Sequence, residues 1–176
     1  MRAHASRNRS STVRRALVVM ALIVTAFPGE LTAAAPDAGV LVPGRSLGGV
    51  RLGWTLPQVE GVWGTEHGRC RACGADTRYF NRVAFRPEGA GVTLRRGRVI
   101  AVFTLWAPRA WHTDRGLYVG EPERRVRATY TIARRVLCTG YEGLELRAGP
   151  ARTVVYVVDG KVWGFGLLGA GAPVCR

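Results

Sequence analysis

Four cysteines carry the most reactive side chains of this sequence, and their spacing allows more than one chemistry. Cys70 and Cys73 are separated by two residues, which suits a local disulfide, a thiol redox pair or half of a zinc site. In a zinc site His67 would be the third ligand, and Cys138 or His112 would be the fourth. This alternative predicts a thiol–disulfide or zinc-dependent enzyme that uses the Cys70/Cys73 loop.

Disulfides are the chemistry that the surrounding sequence favours. A redox pair normally stands at a helix N-terminus in a parallel sheet, whereas this pair lies in a Gly/Arg-rich loop before a predicted β-meander. A zinc site would need a second Cys-x-x-Cys or His-x₃-His element, which the sequence lacks. Of the three possible connectivities we favour Cys70–Cys73 and Cys138–Cys175, the second of which would tie the C-terminal segment to the end of a predicted helix. No metal and no cofactor is expected.

Other catalytic patterns are missing from the sequence. It has no Gly-x-Ser-x-Gly elbow, no His-Glu-x-x-His helix and no phosphate-binding glycine loop. Beyond residue 35 its one serine is Ser46, and Glu142 and Glu145 form an isolated pair of acids on a predicted strand and its approach. We therefore expect a protein that binds rather than catalyses.

Tryptophan and arginine supply the candidate binding residues. Trp106 and Trp111 flank Pro108 in a connector and are expected to be more exposed than Trp63, which is expected in the core. With Arg109 beside them, these rings would suit a protein or glycan partner. The alternative is that they pack between the two halves of the chain.

The first 35 residues have the pattern of a secretory signal peptide. An arginine-rich start precedes the apolar run Ala16–Phe27, and three alanines ending at Ala35 offer a cleavage site. The run is shorter than the roughly 20 residues that span a membrane, so cleavage is favoured over retention as an anchor. We expect a secreted or cell-envelope protein with no transmembrane segment after cleavage, in a compartment that permits disulfides.

The chain is strongly basic, with 26 basic and 12 acidic residues and a formal net charge of +14. The leader holds five arginines and Glu30, so the remainder keeps 21 basic and 11 acidic residues. These charges are scattered, and they do not alternate with aromatic residues as in nucleic-acid-binding motifs. We expect attraction to an anionic envelope polymer or a protein, and no specific nucleic-acid partner.

Two segments of the chain resemble each other, and they define the predicted elements. Gly49–Trp63 is echoed by Gly116–Tyr130, each with a glycine before a short helix, a valine one turn further and an aromatic residue four positions later. Thr55 and Gln58 form a capping box for the first helix, and the second is predicted from Pro122 to about Val136. The side chains predicted to face inward are Leu56, Val59, Val62 and Trp63 in the first helix, and Val126, Tyr130, Ala133 and Leu137 in the second.

Glycine-centred hairpins follow each helix, at Arg96-Gly97-Arg98 and at Asp159-Gly160. Each half therefore reads as one helix followed by three strands. We predict an α+β fold of two tandem units, each a helical layer packed on a three-stranded antiparallel β-meander. Residues 36–113 would hold a linker and the first unit, and residues 114–176 the second.

The first segment also resembles a known family. Its pattern Gly-Val-Arg-Leu-Gly-x-Thr-x-x-x-Val-x-x-x-Trp-Gly, followed by a meander ending in Gly-Arg-Val-Ile, resembles the repeat of β-lactamase-inhibitory-protein-like domains. It is also similar to small outer-membrane assembly lipoproteins of the SmpA/OmlA type, although a lipid-attachment cysteine is absent here. The resemblance covers about residues 46–168 and implies tandem helix-on-sheet units. The predicted function is an exported, non-enzymatic binding or inhibitor-like module.

Overall fold

The computed structural model describes residues 36–80, 89–105 and 110–176. The signal-peptide prediction, Trp106 and Arg109 lie outside these residues. The elements within them are β1 (Gly39–Val42), β2 (Ser46–Leu47), α1 (Leu56–Trp63), β3 (Gly68–Arg69), β4 (Asp76–Tyr79), β5 (Gly89–Arg95), β6 (Arg98–Leu105), β7 (Trp111–Thr113), α2 (Glu123–Thr129), β8 (Ile132–Cys138), β9 (Tyr141–Leu146), β10 (Arg152–Val158) and β11 (Lys161–Leu168). Neither helix is long and apolar enough to cross a membrane.

Eight of the strands form one antiparallel sheet in the order β3-β4-β5-β6-β11-β10-β9-β8. Its central pair joins the two halves of the chain, with Thr104 of β6 opposite Phe165 of β11. The inner strands are buried on both faces, which explains near-continuous apolar runs such as Val-Val-Tyr-Val-Val in β10. The predicted hairpins at Gly97 and Gly160 are present, as the β5–β6 and β10–β11 connections.

The predicted fold class is therefore wrong. The chain does not form two separate helix-covered meanders, because all the strands of both predicted meanders belong to one eight-stranded sheet. The helices have eight and seven residues, too few to form a layer over each half. Two separate meanders would each end in a long apolar strand with unpaired backbone groups, and the β6–β11 pairing removes both of those edges.

The second helix is shorter than predicted, because it gives way to a strand. It ends at Thr129, and Ile132–Cys138 then pairs with β9 as strand β8. Val126 and Tyr130 are buried as expected, whereas Leu137 is 74% exposed. The β-branched and aromatic residues around position 130 favour extended backbone, and the backbone hydrogen bonds with β9 stabilise it.

The first helix follows its prediction more closely. The capping box is formed, with the Thr55 amide donating to Gln58 Oε1 at 2.9 Å, and Gly64 caps the other end. Val59 and Trp63 are buried in the core, but Val62 is 44% exposed, contrary to the predicted apolar stripe.

Gly53 and Gly120, which occupy matching positions in the two similar segments, make the same kind of hydrogen bond. Gly53 donates to the carbonyl of Val99 at 2.8 Å, and the residue after it accepts a hydrogen bond from the Val99 amide. In the second half Gly120 donates to the carbonyl of Val162 at 2.7 Å, and Glu121 accepts a hydrogen bond from the Val162 amide at 2.8 Å. Both glycines have positive φ, 81° and 89°, which favours glycine over other residues. In both halves, these hydrogen bonds hold the segment before the helix against the following hairpin. The predicted tandem repeat of whole units stays a prediction.

One face of the large sheet contributes to the main core, and its opposite face is covered by the C-terminal segment, residues 169–176. The Tyr156 hydroxyl donates to the carbonyl of Val174 at 3.0 Å, and the Tyr141 hydroxyl donates to that of Arg176 at 2.9 Å. Burial raises the pKa of Tyr156, which favours the protonated hydroxyl that this bond needs. The Arg176 guanidinium lies over the Phe103 ring, 5.0 Å from its centre. The segment therefore completes a second, smaller core.

Candidate binding surface

The remaining strands form a small sheet in the order β2-β1-β7, with β2 antiparallel and β7 parallel to β1. Side chains alternate along β7, so Trp111 and Thr113 are buried while His112 lies on the outer face. Val40 is the β1 residue opposite His112, and it is 37% exposed on the same face. The small sheet thus has one face in the core and one in solvent.

Two rings stack on this outer face. The centres of the His112 and Tyr118 rings are 4.7 Å apart, and their planes meet at 21°. Tyr118 faces outward because its neighbour Leu117 is fully buried, and it is 44% exposed. Its amide donates to the Glu121 carboxylate at 2.9 Å, which fixes the backbone beneath the ring. The Tyr118 ring is thus held on an ordered backbone segment.

Val62 of helix α1 is a further exposed apolar side chain, 44% exposed. It is adjacent to Gly49, where an added Cβ would lie 3.3 Å from a Val62 methyl carbon, and the neighbouring Gly48 donates to the carbonyl of Val40. We call Val40, His112 and Tyr118, which the β1–β7 pairing and the ring stack bring together, the outer patch. In the described part of the chain, two of the four exposed large apolar side chains belong to it. Such clustering differs from singly scattered exposed residues.

Of the binding residues predicted from the sequence, the structure describes Trp111, which does not belong to this surface. Trp111 was expected to be exposed, and that is wrong, because its ring is fully buried and packs edge-on against Trp63 at 6.2 Å. Gly39 and Gly48 make room for the ring, since a Cβ at either position would come within 2.6 Å of it. The parallel pairing of β7 with β1 therefore turns Trp111 inward and His112 outward.

Both disulfides of the favoured connectivity are present, Cys70–Cys73 and Cys138–Cys175. The described residues contain no free cysteine. Cys138 ends strand β8 and not a helix, so the second bridge fastens the C-terminal segment to the edge of the sheet. Neither pair is a dithiol in this structure.

The ligands proposed for a zinc site are engaged elsewhere. His67 is 11% exposed, bonds Glu60 at 2.9 Å and packs against the Phe80 ring at 4.9 Å. His112 is stacked on Tyr118, and Cys138 is in a disulfide. Over residues 36–80, 89–105 and 110–176, no three His, Cys, Asp or Glu side chains are placed to hold a metal ion.

Sequence reasoning missed Tyr118 and Val40. The signal for Tyr118 was present in the echoed segment, where it stands between two apolar residues, Leu117 and Val119, in an alternating pattern. Val62 falls at helical spacing with the buried Val59 and was predicted to face inward, but it is 44% exposed.

Comparison with known proteins gives little further support for a function. No protein-family model and no curated protein matches the chain. A solved structure similar to it is that of an extracellular protein containing a SCP domain from Bacillus anthracis, with 9% sequence identity and a TM-score of 0.41. The match covers 68% of this chain and 44% of that protein.

Proposed function

We propose that this protein is an extracytoplasmic binding module that contacts a partner protein through the outer patch. The observation that carries the proposal is the stacked, exposed His112–Tyr118 pair beside Val40. Aromatic rings with a polar atom give a large contact area for little loss of side-chain entropy, and they are enriched where partner proteins bind most tightly. The apolar character of the patch favours a protein over an anionic envelope polymer, which would bind the scattered arginines.

The extracytoplasmic location is supported by the cysteines. Two disulfides among the described residues are typical of oxidising compartments, since cytosolic thiols are kept reduced. The predicted leader over residues 1–35 agrees with export. Sequencing the N-terminus of the protein recovered from outside the cytoplasm tests this, and we expect it to begin at Pro36.

Site-specific photo-crosslinking tests the patch. Tyr118 is replaced by benzoyl-phenylalanine in the producing cells, and Arg71, exposed in the Cys70–Cys73 loop, is replaced in the matched control. We expect a discrete protein adduct from position 118 and none from position 71. The further change Val40→Asp puts a charge into the patch and should remove the adduct. Equal adducts from both positions, or labelling of polymer alone, would refute the proposal.

An inhibitor-like role is the narrower form of this proposal, and its support is the sequence resemblance. Titrating the mature protein against exported hydrolases, β-lactamases among them, tests that role. A stoichiometric loss of rate that Tyr118→Ala relieves would support inhibition through the outer patch. Unchanged rates would contradict inhibition of these enzymes and leave the binding proposal to the crosslinking experiment.

A further inference from the structure

Strand β8 forms one edge of the large sheet. Strand β8 is the last in the strand order, and among the described residues it pairs with β9 alone. In an antiparallel pair, every second residue points its N–H and C=O away from its partner. β8 therefore presents a row of backbone donors and acceptors along seven residues, a normal length for strand pairing.

The side chains of this edge are exposed, and they combine arginine with an apolar residue. Ala133, Arg134 and Arg135 are exposed, and Leu137 is the most exposed large apolar residue in the described chain. The Cys138–Cys175 bridge comes close only at the end of the strand, where Cys175 Sγ lies 3.8 Å from the Leu137 carbonyl. Most of the edge is therefore open to a partner.

Positive charge exceeds negative charge along the edge. Arg135 bonds Glu123 at 2.7 Å and lies 3.1 Å from Glu142, whereas Arg134 has no ion pair with any described residue. At the start of β8, Arg115 and Arg127 line a depression with Ala128–Ile132. Two further acids lie here: Asp114 accepts a hydrogen bond from the Tyr130 hydroxyl, and Glu145, opposite Arg134 in the ladder, pairs with Arg152 at 2.6 Å. Five arginines thus stand near four carboxylates, and Arg134, which has no ion pair with a described residue, lies on the strand itself, where it would attract an acidic partner.

We infer that the β8 edge binds an extended acidic segment of a partner protein, which adds to the large sheet as a ninth strand. Strand addition uses the outward backbone groups of β8 for affinity, while acidic side chains beside Arg134 supply specificity. A second copy of this chain fits less well, because pairing β8 with β8 sets arginines against arginines across the contact. Charges on an edge strand discourage such self-pairing, and an acidic strand removes the repulsion.

Binding of designed peptides to the mature, disulfide-intact protein tests the inference. The probe is a seven-residue peptide of alternating Glu and Thr, and its control has Lys in place of Glu. We expect chemical-shift changes concentrated on β8 for the Glu peptide only, with an affinity that falls as salt rises. Arg134→Glu should weaken binding at least about tenfold. Arg71→Glu, the same charge change at the opposite edge, should have little effect.

Backbone methylation separates strand addition from simple charge attraction. Two further Glu peptides carry N-methyl groups, one at odd and one at even positions. Only one set of N–H groups in an added strand faces β8, so one methylated peptide should bind like the parent and the other should not. Equal binding of both, equal binding of inorganic polyphosphate, or a dimer formed through β8 would overturn the inference. These outcomes are independent of the crosslinking result at the outer patch.

Discussion

The two edge strands of the eight-stranded sheet differ in length and exposure, although a disulfide lies at each edge. At the first edge, β3 has two residues and runs directly into the four-residue loop that Cys70 and Cys73 close. At the second edge, β8 has seven residues, and its disulfide ties the strand end to Cys175, 37 positions away. The first bridge ends a strand, and the second holds a segment over the sheet.

This difference in strand length explains why the β3 edge cannot pair with a further strand, whereas the β8 edge can. A two-residue strand offers too few backbone groups for a partner strand, and the Arg69–Asp76 ion pair at 3.0 Å crosses from it to β4. β8 keeps a full-length edge with a register shift between Ile132 and Arg134. Bulges and charges limit self-pairing at such an edge without removing its hydrogen-bonding capacity.

Removing the long bridge should have the largest effect on stability. Cys138→Ser with Cys175→Ser frees a loop of about 38 residues in the unfolded chain, which corresponds to a loss of about 4 kcal/mol in the free energy of unfolding. The C-terminal segment should also loosen from the second sheet face. Urea unfolding and amide exchange at residues 169–176 measure both effects. If the free energy of unfolding falls less here than on removal of the Cys70–Cys73 bridge, residues 169–176 are held by packing and not by the disulfide.

Removing the short bridge should cost less. Cys70→Ser with Cys73→Ser frees a loop of four residues, which corresponds to about 2 kcal/mol. Both double variants replace two cysteines by serines, so urea unfolding compares the loss of a short loop with the loss of a long loop at a different position in the sheet. A larger loss than at the long bridge would mean that the Cys70–Cys73 loop organises the β3–β4 edge beyond its loop entropy.

A third prediction concerns the acid that ties α2 to β8. Burial alone would raise the pKa of Glu123, but hydrogen bonds from Arg127 and Arg135 outweigh it and lower that pKa below the ordinary 4.5. A carboxylate with a lowered pKa stabilises the fold above its unfolded pKa, and that stability is lost as pH falls through the folded pKa. Glu123→Gln should therefore destabilise the protein at neutral pH by about 1 kcal/mol.

The pH dependence checks this prediction. The difference in unfolding free energy between wild type and Glu123→Gln should be constant from pH 7 to about pH 5 and should shrink at lower pH. Glu66→Gln, an exposed acid with no ion pair to a described residue, is the control. A difference that does not change with pH would contradict the role of these two arginines.

Local features of the fold could be predicted from the sequence, and long-range pairing could not. The capping box at Thr55 and the Gly97 and Gly160 turns depend on a few adjacent residues, and all three are present. The joining of β6 to β11 depends on residues about 60 positions apart, and no local pattern encodes it. The same limit applies to the outer patch, because the β1–β7 pairing decides that Trp111 is buried and His112 is not.

The smallest effect is expected at the exposed Leu137, and it tests whether β8 is an edge at all. A helix would bury this leucine, as the sequence predicted, and Leu137→Ala would then cost about 2–5 kcal/mol. On an open edge strand the same change should stay within about 0.5 kcal/mol, since the side chain contributes little buried area. Leu144→Ala in β9, at a fully buried position, is the matched control and should show the full loss. Equal losses at the two positions in urea unfolding would place β8 inside the protein and remove the contrast between the two edges.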